Sequence, residues 1–309
     1  MNLVFCGTPQ FAVPTLERLA QSGFAIRLVL TQPDRPKGRG LDLVPSPVKQ
    51  SAEKLALPIC QPEKIKTNEE LRARLERLAP EAIVVVGYGR IIPPWMLQLP
   101  KYGNINLHAS LLPKYRGAAP IQWAIASGEK VTGVTTMRID EGLDTGDILL
   151  QREIAIFEDD TSETLAPKLA AIGADLMVAT LQRLQSGSIT ARKQESGEAS
   201  IAPILKKEDG RIDFSQTARE IYNRLRGFQP WPGAFTTFRG KTLNITAAKP
   251  AARSSGGAQL LVEGRQLFMG CGNNSSLEIL ELQPEGKKRM PAADFVHGYR
   301  PQTGDDLGQ

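Results

Sequence analysis

The run Ile83-Val84-Val85-Val86 is apolar and β-branched at every position. Such side chains lose freedom in a helix and pack well on a pleated surface, so the run reads as a strand. A strand with one wet face alternates polar and apolar residues. This one does not, and must be covered on both faces, which points to a parallel sheet between helical layers. The neighbouring pattern agrees. Short strand-like runs at 3–6, 26–30, 104–108, 131–139 and 148–151 alternate with helical patterns at 14–22, 68–78, 119–126 and 162–184. Leu71, Leu75 and Leu78 fall at helical spacing with Arg and Glu opposite. Pro14 stands in the first turn of its helix and Gly23 just past the end. The order predicts βαβ units and a Rossmann-like α/β domain.

After Gly187 the periodicity stops. The stretch 188–203 is rich in Ser, Gly, Glu and Lys and reads as a linker. Beyond it, one helix with Ser215 as its cap and Gly227 at its end precedes short strand-like pieces separated by glycine turns. That predicts a small β-barrel or sandwich, the barrel form being OB-like. The expected organisation is a catalytic domain over 1–188, a linker over 189–205 and a barrel over 206–309, two domains being the natural division of 309 residues.

Composition excludes several classes. Hydrophobic content of 41% and charged content of 23% are those of an ordinary soluble domain. No apolar run approaches the ~18–20 residues that span a bilayer, and the N-terminus enters a strand pattern without signal-peptide features. Cys6, Cys60 and Cys271 are odd in number and scattered, and His108 and His297 lie far apart. Neither a disulfide framework nor a metal site is expected, and the cytoplasm is the expected compartment. Cys6 and Cys60 read as small core residues. Charge is uneven: residues 1–205 carry 23 Lys+Arg against 22 Asp+Glu, whereas 206–309 carry 15 against 11. A polyanionic partner or a solvated basic surface fits that excess equally well.

The first strand ends in Gly7-Thr8-Pro9, where dinucleotide-binding folds keep a phosphate loop. The G-x-G-x-x-G pattern is absent and Pro9 stiffens the backbone there. At the end of 104–108, Asn106 and His108 are two residues apart and share one face of the strand. Such strand ends are where open α/β sheets bind ligands. From the residues alone, an asparagine opening a turn and a packed histidine fit as well. Asp140, Asp144 and Asp147 share a turn-rich loop, and spacing does not choose among them.

The pattern N-x-H-x-S-L-L-P-x-Y-R-G over 106–117, followed by D-x-G-x-D-T-G-D over 140–147, resembles the folate-dependent formyltransferases. The resemblance implies that Asn106, His108 and Asp144 form the catalytic set and that 10-formyltetrahydrofolate is the formyl donor. It also implies a largely backbone-lined pterin pocket involving Ser110, Leu111, Leu112 and Pro113, with Val86 and Tyr88 in its wall. Asn106 would donate to the oxyanion of a tetrahedral intermediate, His108 would stabilise it or move the amine's proton, and Asp144 would orient the imidazole. A covalent acyl carrier, for which Ser110 is the candidate, is not required.

The acceptor must be read elsewhere. Residues 31–47 contain four prolines and two glycines and predict neither helix nor strand before about Val48. Arg35, Lys37 and Arg39 put positive charge at the tip of this stretch. It resembles the insertion loop of the family members that formylate initiator methionyl-tRNA, although Leu41-Asp42 stand where many of those carry further lysines. The segment 226–235, Arg-Gly-Phe-Gln-Pro-Trp-Pro-Gly-Ala-Phe, resembles the opening of their second domain and of related sugar N-formyltransferases. The resemblance thus implies initiator methionyl-tRNA as partner, and a monomer is expected. A sugar-nucleotide amine as acceptor, and a folate or RNA binder without transferase activity, are the alternatives.

Overall fold

The computed structural model describes residues 1–37, 42–253 and 257–309, so Arg39 lies outside the described residues. In chain order the elements begin with β1 (Asn2–Gly7), α1 (Val13–Gln21), β2 (Ala25–Leu30), β3 (Arg35–Lys37) and β4 (Asp42–Val44). They continue with α2 (Pro47–Lys54), β5 (Ile59–Cys60), α3 (Glu69–Leu78), β6 (Ala82–Val86), α4 (Pro94–Leu97) and β7 (Asn104–His108). Then come β8 (Arg116–Gly117), α5 (Pro120–Ala126), β9 (Val131–Arg138), β10 (Ile148–Ala155), α6 (Ser162–Ser186) and β11 (Ile201–Ala202). The last are α7 (Ala218–Gly227), β12 (Ala234–Phe238), β13 (Lys241–Ala251), β14 (Leu260–Glu263), β15 (Gln266–Cys271), β16 (Ser275–Pro284), β17 (Met290–Pro291) and α8 (Ala292–Tyr299). They form two compact units: 1–118 with 131–154 and 166–202, and 119–130 with 155–165 and 203–309.

Among the described residues the first unit holds a seven-stranded sheet in the order β10-β9-β7-β6-β1-β2-β5. The strands β7, β6, β1, β2 and β5 run parallel. All five residues of β6 are buried, as a strand covered on both faces requires. The departure from an all-parallel sheet is β9, which runs antiparallel to β7. A parallel neighbour needs a crossover helix laid on the sheet. The helix in the β7–β9 connection is α5, which belongs to the other unit, so the chain returns without crossing over. Helix α6 is apolar and long enough, by length and composition, to cross a membrane, although no single apolar run marks it. It is a core helix: Leu169, Ala174, Met177 and Leu181 are buried. A Cβ added to its Gly173 would lie 2.7 Å from Leu107 of β7. Glycine is what allows that approach.

The stretch 31–47, expected to lack regular structure, contains the two-stranded ribbon β3–β4, paired Arg35 with Val44 and Lys37 with Asp42, and α2 already begins at Pro47. Ser46 caps α2 by accepting from the Lys49 N–H at 3.1 Å.

In the second unit, β12-β13-β16-β15-β14 form an antiparallel sheet with β17 against β16. The C-terminal tail joins its two edges. Leu307 bridges Phe238 at the end of β12, and Asp306 bridges Gln259 just before β14. The sheet is thereby stitched into a barrel around Leu243, Ile245, Leu267, Met269, Leu277, Ile279 and Phe295. Helix α7 starts two residues later than the expected Ser215 cap. Thr217 and Glu220 form a capping box there, while the Ser215 hydroxyl donates to Asp213 at 2.6 Å. The arginines of α7 are engaged inside the unit. Arg219 pairs with Glu158, and Arg224 lies over the rings of Trp123 and Phe228. Arg226, 5% exposed, donates from Nη1 to the carbonyls of Phe157 and Asp160, both at 2.9 Å, and from Nη2 to Asn223 Oδ1 at 2.9 Å. Arg226→Ala leaves these acceptors without their donor and should cost about 3 kcal/mol in urea unfolding followed by tryptophan fluorescence. Arg226→Lys, with fewer donors, should fall between the two.

Candidate active site

Strand β7 presents its alternate residues as its spacing predicts. Ile105 and Leu107 are buried on one face. On the other, Asn104 is anchored by its Nδ2, which donates to the carbonyls of Met96 at 3.0 Å and Leu97 at 3.1 Å. Asn106, next on that face, is half-buried, and its amide has no hydrogen-bond partner among the described residues. Last comes His108, 6% exposed. Its Nε2 is 2.8 Å from the Tyr115 carbonyl, which can only accept, so Nε2 is the donor. Nδ1 faces Asp144 Oδ2 at 3.6 Å. The ring therefore has an acceptor in place for a proton at either nitrogen.

Asp144 is held at both its carboxylate and its carbonyl. Its Oδ2 accepts from the Gly117 N–H at 2.9 Å. Its φ of 53° is left-handed, a conformation that a non-glycine residue seldom adopts. Gln194 Nε2 donates to its carbonyl at 2.9 Å and to that of Gly146 at 2.7 Å. The two other acidic residues weighed from sequence are used differently. Asp140 accepts from the Gly142 N–H at 3.0 Å and from the Thr145 hydroxyl, and so closes the loop on itself. The Asp147 carbonyl accepts from the Arg138 N–H at 2.9 Å.

Between β7 and Asp144 lies the turn 110–117. The Ser110 side chain is fully buried and donates to the Lys114 carbonyl at 2.6 Å, an orientation unlike that of an attacking nucleophile. The Ser110 carbonyl accepts from Thr135 Oγ1 at 2.6 Å, and the Leu112 N–H donates to that hydroxyl at 3.2 Å. Gln151 Nε2 donates to the Leu112 carbonyl at 2.9 Å. The main chain of this turn is thus fixed by β9 and β10, leaving the half-buried Leu111 and Pro113 as the parts it presents. Thr135 and Gln151 carry no local signal in the sequence, because a polar residue in a strand reads the same whether it faces solvent or fixes a neighbouring turn.

The loops after β1 and β6 meet at the switch point of the sheet. Gly87 and Gly89 have φ of 55° and 73°. A Cβ at Gly87 would lie 2.8 Å from the Pro9 ring, so proline occupies the place where a dinucleotide fold keeps its phosphate loop open. Turning points without side chains let this main chain lie against a flat ring. Val86 is buried in β6. The Tyr88 side chain turns into the core beside Val4, Cys6 and Leu30, 1% exposed, and burial pushes its phenol well above the ordinary range. What Tyr88 offers outward is main chain, and its carbonyl accepts from Thr8 Oγ1 at 3.2 Å and Gln32 Nε2 at 3.0 Å. Burial likewise raises the Cys6 thiol, in keeping with a core residue.

Gln32 starts the β3–β4 segment. Its Oε1 accepts from Arg35 Nη2 at 3.0 Å. Asp34 pins the base of the segment, accepting from Lys49 Nζ at 2.5 Å and Gln61 Nε2 at 2.7 Å. Arg35 is exposed on β3, and Lys37 is the last residue of that strand.

An open amide, a bracketed imidazole and an anchored carboxylate thus stand together at the carboxyl end of a parallel strand, where such groups can stabilise charge that develops on a ligand. The chain belongs to the formyl transferase family. Residues 1–181 match formyl transferase, and residues 204–300 match formyl transferase, C-terminal domain. A protein named methionyl-tRNA formyltransferase from Koribacter versatilis (strain Ellin345) is 64% identical over 309 residues, covering 100% of this chain and 99% of its own length. One of the same name from Acidobacterium capsulatum is 61% identical, covering 96% of each. Among solved structures, the N-formyltransferase from Helicobacter canadensis, in complex with folinic acid and dTDP-3-aminofucose, superposes with a TM-score of 0.67 at 20% identity. It covers 91% of this chain and 98% of its own. At that identity the likeness is one of fold.

The hydrogen bonds from Lys49 and Gln61 hold the Asp34 carboxyl below its usual range. A carboxyl lowered in the folded state adds stability above its unfolded value, about 3.9, and loses it as pH falls through the folded value. Asp34→Asn should therefore lower the thermal midpoint at pH 7, and the gap from the parent should close below about pH 4. Calorimetry across pH 3–7 reads this directly.

Proposed function

We propose that this chain transfers the formyl group of 10-formyltetrahydrofolate to the α-amino group of methionyl-initiator tRNA. The observation that carries the reading is the open Asn106 amide beside a His108 bracketed by Tyr115 and Asp144, in a chain 64% identical over its whole length to a methionyl-tRNA formyltransferase. The folate supplies the formyl carbonyl. The loop after β6, with Gly87 and Gly89 at its turns, and the segment Ser110–Pro113 would hold its pterin, Leu111 and Pro113 contributing side chains and the buried Ser110, Leu112, Val86 and Tyr88 only main chain.

An α-amino group has a reference pKa of about 7.7–8.0, so an appreciable fraction is neutral near pH 7 and needs no strong base. Asn106 donates to the oxygen that gains charge as the amine adds to the formyl carbon. His108, its ring held between the Tyr115 carbonyl and Asp144, stabilises that charge beside Asn106, and the proton of the incoming nitrogen passes to the departing one. No metal takes part on this reading. Arg35, Lys37 and Arg39 approach phosphates near the acceptor end, and residues 206–309 hold the RNA while 1–188 carry the chemistry. The enzyme acts as a monomer in the cytoplasm.

Purified protein given 10-formyltetrahydrofolate should formylate charged initiator tRNA. Transfer to an amino-sugar nucleotide and not to the tRNA would overturn the acceptor assignment. Asn106→Ala and His108→Ala should each lower turnover about 100-fold or more without unfolding the protein, measured by single-turnover formylation with circular dichroism as the control. Arg35→Ala should raise KM for tRNA and flatten its dependence on log salt by about one unit, so that variant and parent converge at high salt.

A further inference from the structure

The segment 189–200, read from composition as a linker, is tied into the site by side chain and main chain. Tyr115 N–H donates to Ser200 Oγ at 2.9 Å, Arg116 N–H donates to the Ser200 carbonyl at 2.8 Å, and β11 pairs in parallel with β8. Within this segment Gln194 spans two groups of opposite character. Its Nε2 donates to the carbonyls of Asp144 and Gly146 at 2.9 and 2.7 Å. Its Oε1 accepts from Arg116 Nε at 3.0 Å and Nη2 at 2.8 Å. Only a carboxamide can do both at once. A glutamate has no hydrogen to give the carbonyls, and a lysine has no lone pair for the guanidinium.

Arg116 gives this strut its rigidity. The side chain is 8% exposed, and Gln194 is its acceptor among the described residues. The neighbours of Arg116 also touch the site directly. The Tyr115 carbonyl accepts from His108, and the Gly117 N–H holds the Asp144 carboxylate. Asp144 is consequently gripped by its carboxylate from residue 117 and by its carbonyl from residue 116 through Gln194. That second grip fixes a left-handed residue whose conformation a non-glycine side chain does not favour.

We infer that Gln194, braced by Arg116, is a positioning residue: it sets the Asp144 loop so that the carboxylate meets His108, and it never touches either substrate. The inference rests on the catalytic reading of Asp144 given above. Loss of the strut lets the loop relax and removes the register of Asp144 with the imidazole. A misplacement of about 1 Å can cost up to about 100-fold in rate.

The test compares the parent, Gln194→Ala, Gln194→Glu, Asp144→Asn and the Gln194→Ala/Asp144→Asn double variant. Steady-state formylation of charged initiator tRNA is read together with the imidazole NMR signals. The chain has only two histidines, so each signal can be assigned. Gln194→Ala and Gln194→Glu should lower kcat by about 10- to 100-fold with KM for both substrates within about twofold. The His108 resonance should shift and the His297 resonance should stay. In the Asp144→Asn background the further loss of Gln194 should change kcat by less than about twofold, because a residue acting through Asp144 has nothing left to act on. An active parent with Gln194→Ala at parental kcat, an unmoved His108 signal, or full additivity in the double variant would each overturn the inference. A parent inactive on tRNA would instead overturn the proposed function, and the NMR comparison would still decide whether Gln194 sets the surroundings of His108.

Discussion

The hydrogen bond from the Gly117 N–H to the Asp144 carboxylate joins two loops that are far apart in sequence. The imidazole and the carboxylate of the candidate site are both arranged around it. The turn that carries Gly117 also carries Tyr115, whose carbonyl fixes the His108 ring, and it begins at Ser110, whose carbonyl is fixed by Thr135. A single short segment thus sets the imidazole and the carboxylate relative to each other. Strand β7 independently sets the asparagine and the histidine. The two constraints meet at His108, the residue they share. A site of this kind needs no metal or covalent nucleophile to be rigid. Its precision comes from main-chain groups, which cannot rotate away.

How far the sequence discloses this differs from part to part. The strand 104–108 is readable to the residue because alternation on a sheet imposes the same-face relation of Asn106 and His108 regardless of context. The fully apolar run at 83–86 forecasts a buried central strand for the same reason. The ribbon β3–β4 is not readable, because its two strands are only three residues long, include a proline and are held by pairing with each other. The orientation of Tyr88 is lost at Gly87, where positive φ turns the chain and ends the alternation. Thr217 and Glu220 do spell a capping box, so that helix start was available in the residues and the nearer-looking Ser215 competed with it. Gln194 had no such signal. Its role depends on carbonyls fifty residues earlier, in a segment whose composition resembles a linker.

Charge is a similar case. A net excess of basic residues after position 205 says nothing about which of them face outward. The arginines of α7 would be an obvious polyanion-binding row on a helical wheel, yet each is used to clamp carbonyls, rings or a carboxylate within its own unit. A guanidinium has five donors and a flat face, which makes it as useful for holding irregular backbone as for meeting phosphate.

The barrel seam has a consequence in time. Both sheet edges are joined through Asp306 and Leu307, the first of these reaching Gln259 and the second reaching Phe238. Strands made early in the synthesis of this unit therefore wait, with open edges, for a segment made some seventy residues later. Pairings of such long sequence separation are slow to form because loop closure precedes any gain from contact. The first unit gathers its parallel strands from residues made much sooner. On the ribosome the chain would thus carry a formed sheet domain ahead of a barrel still unsealed, and the final turn of the chain is what ends that exposure.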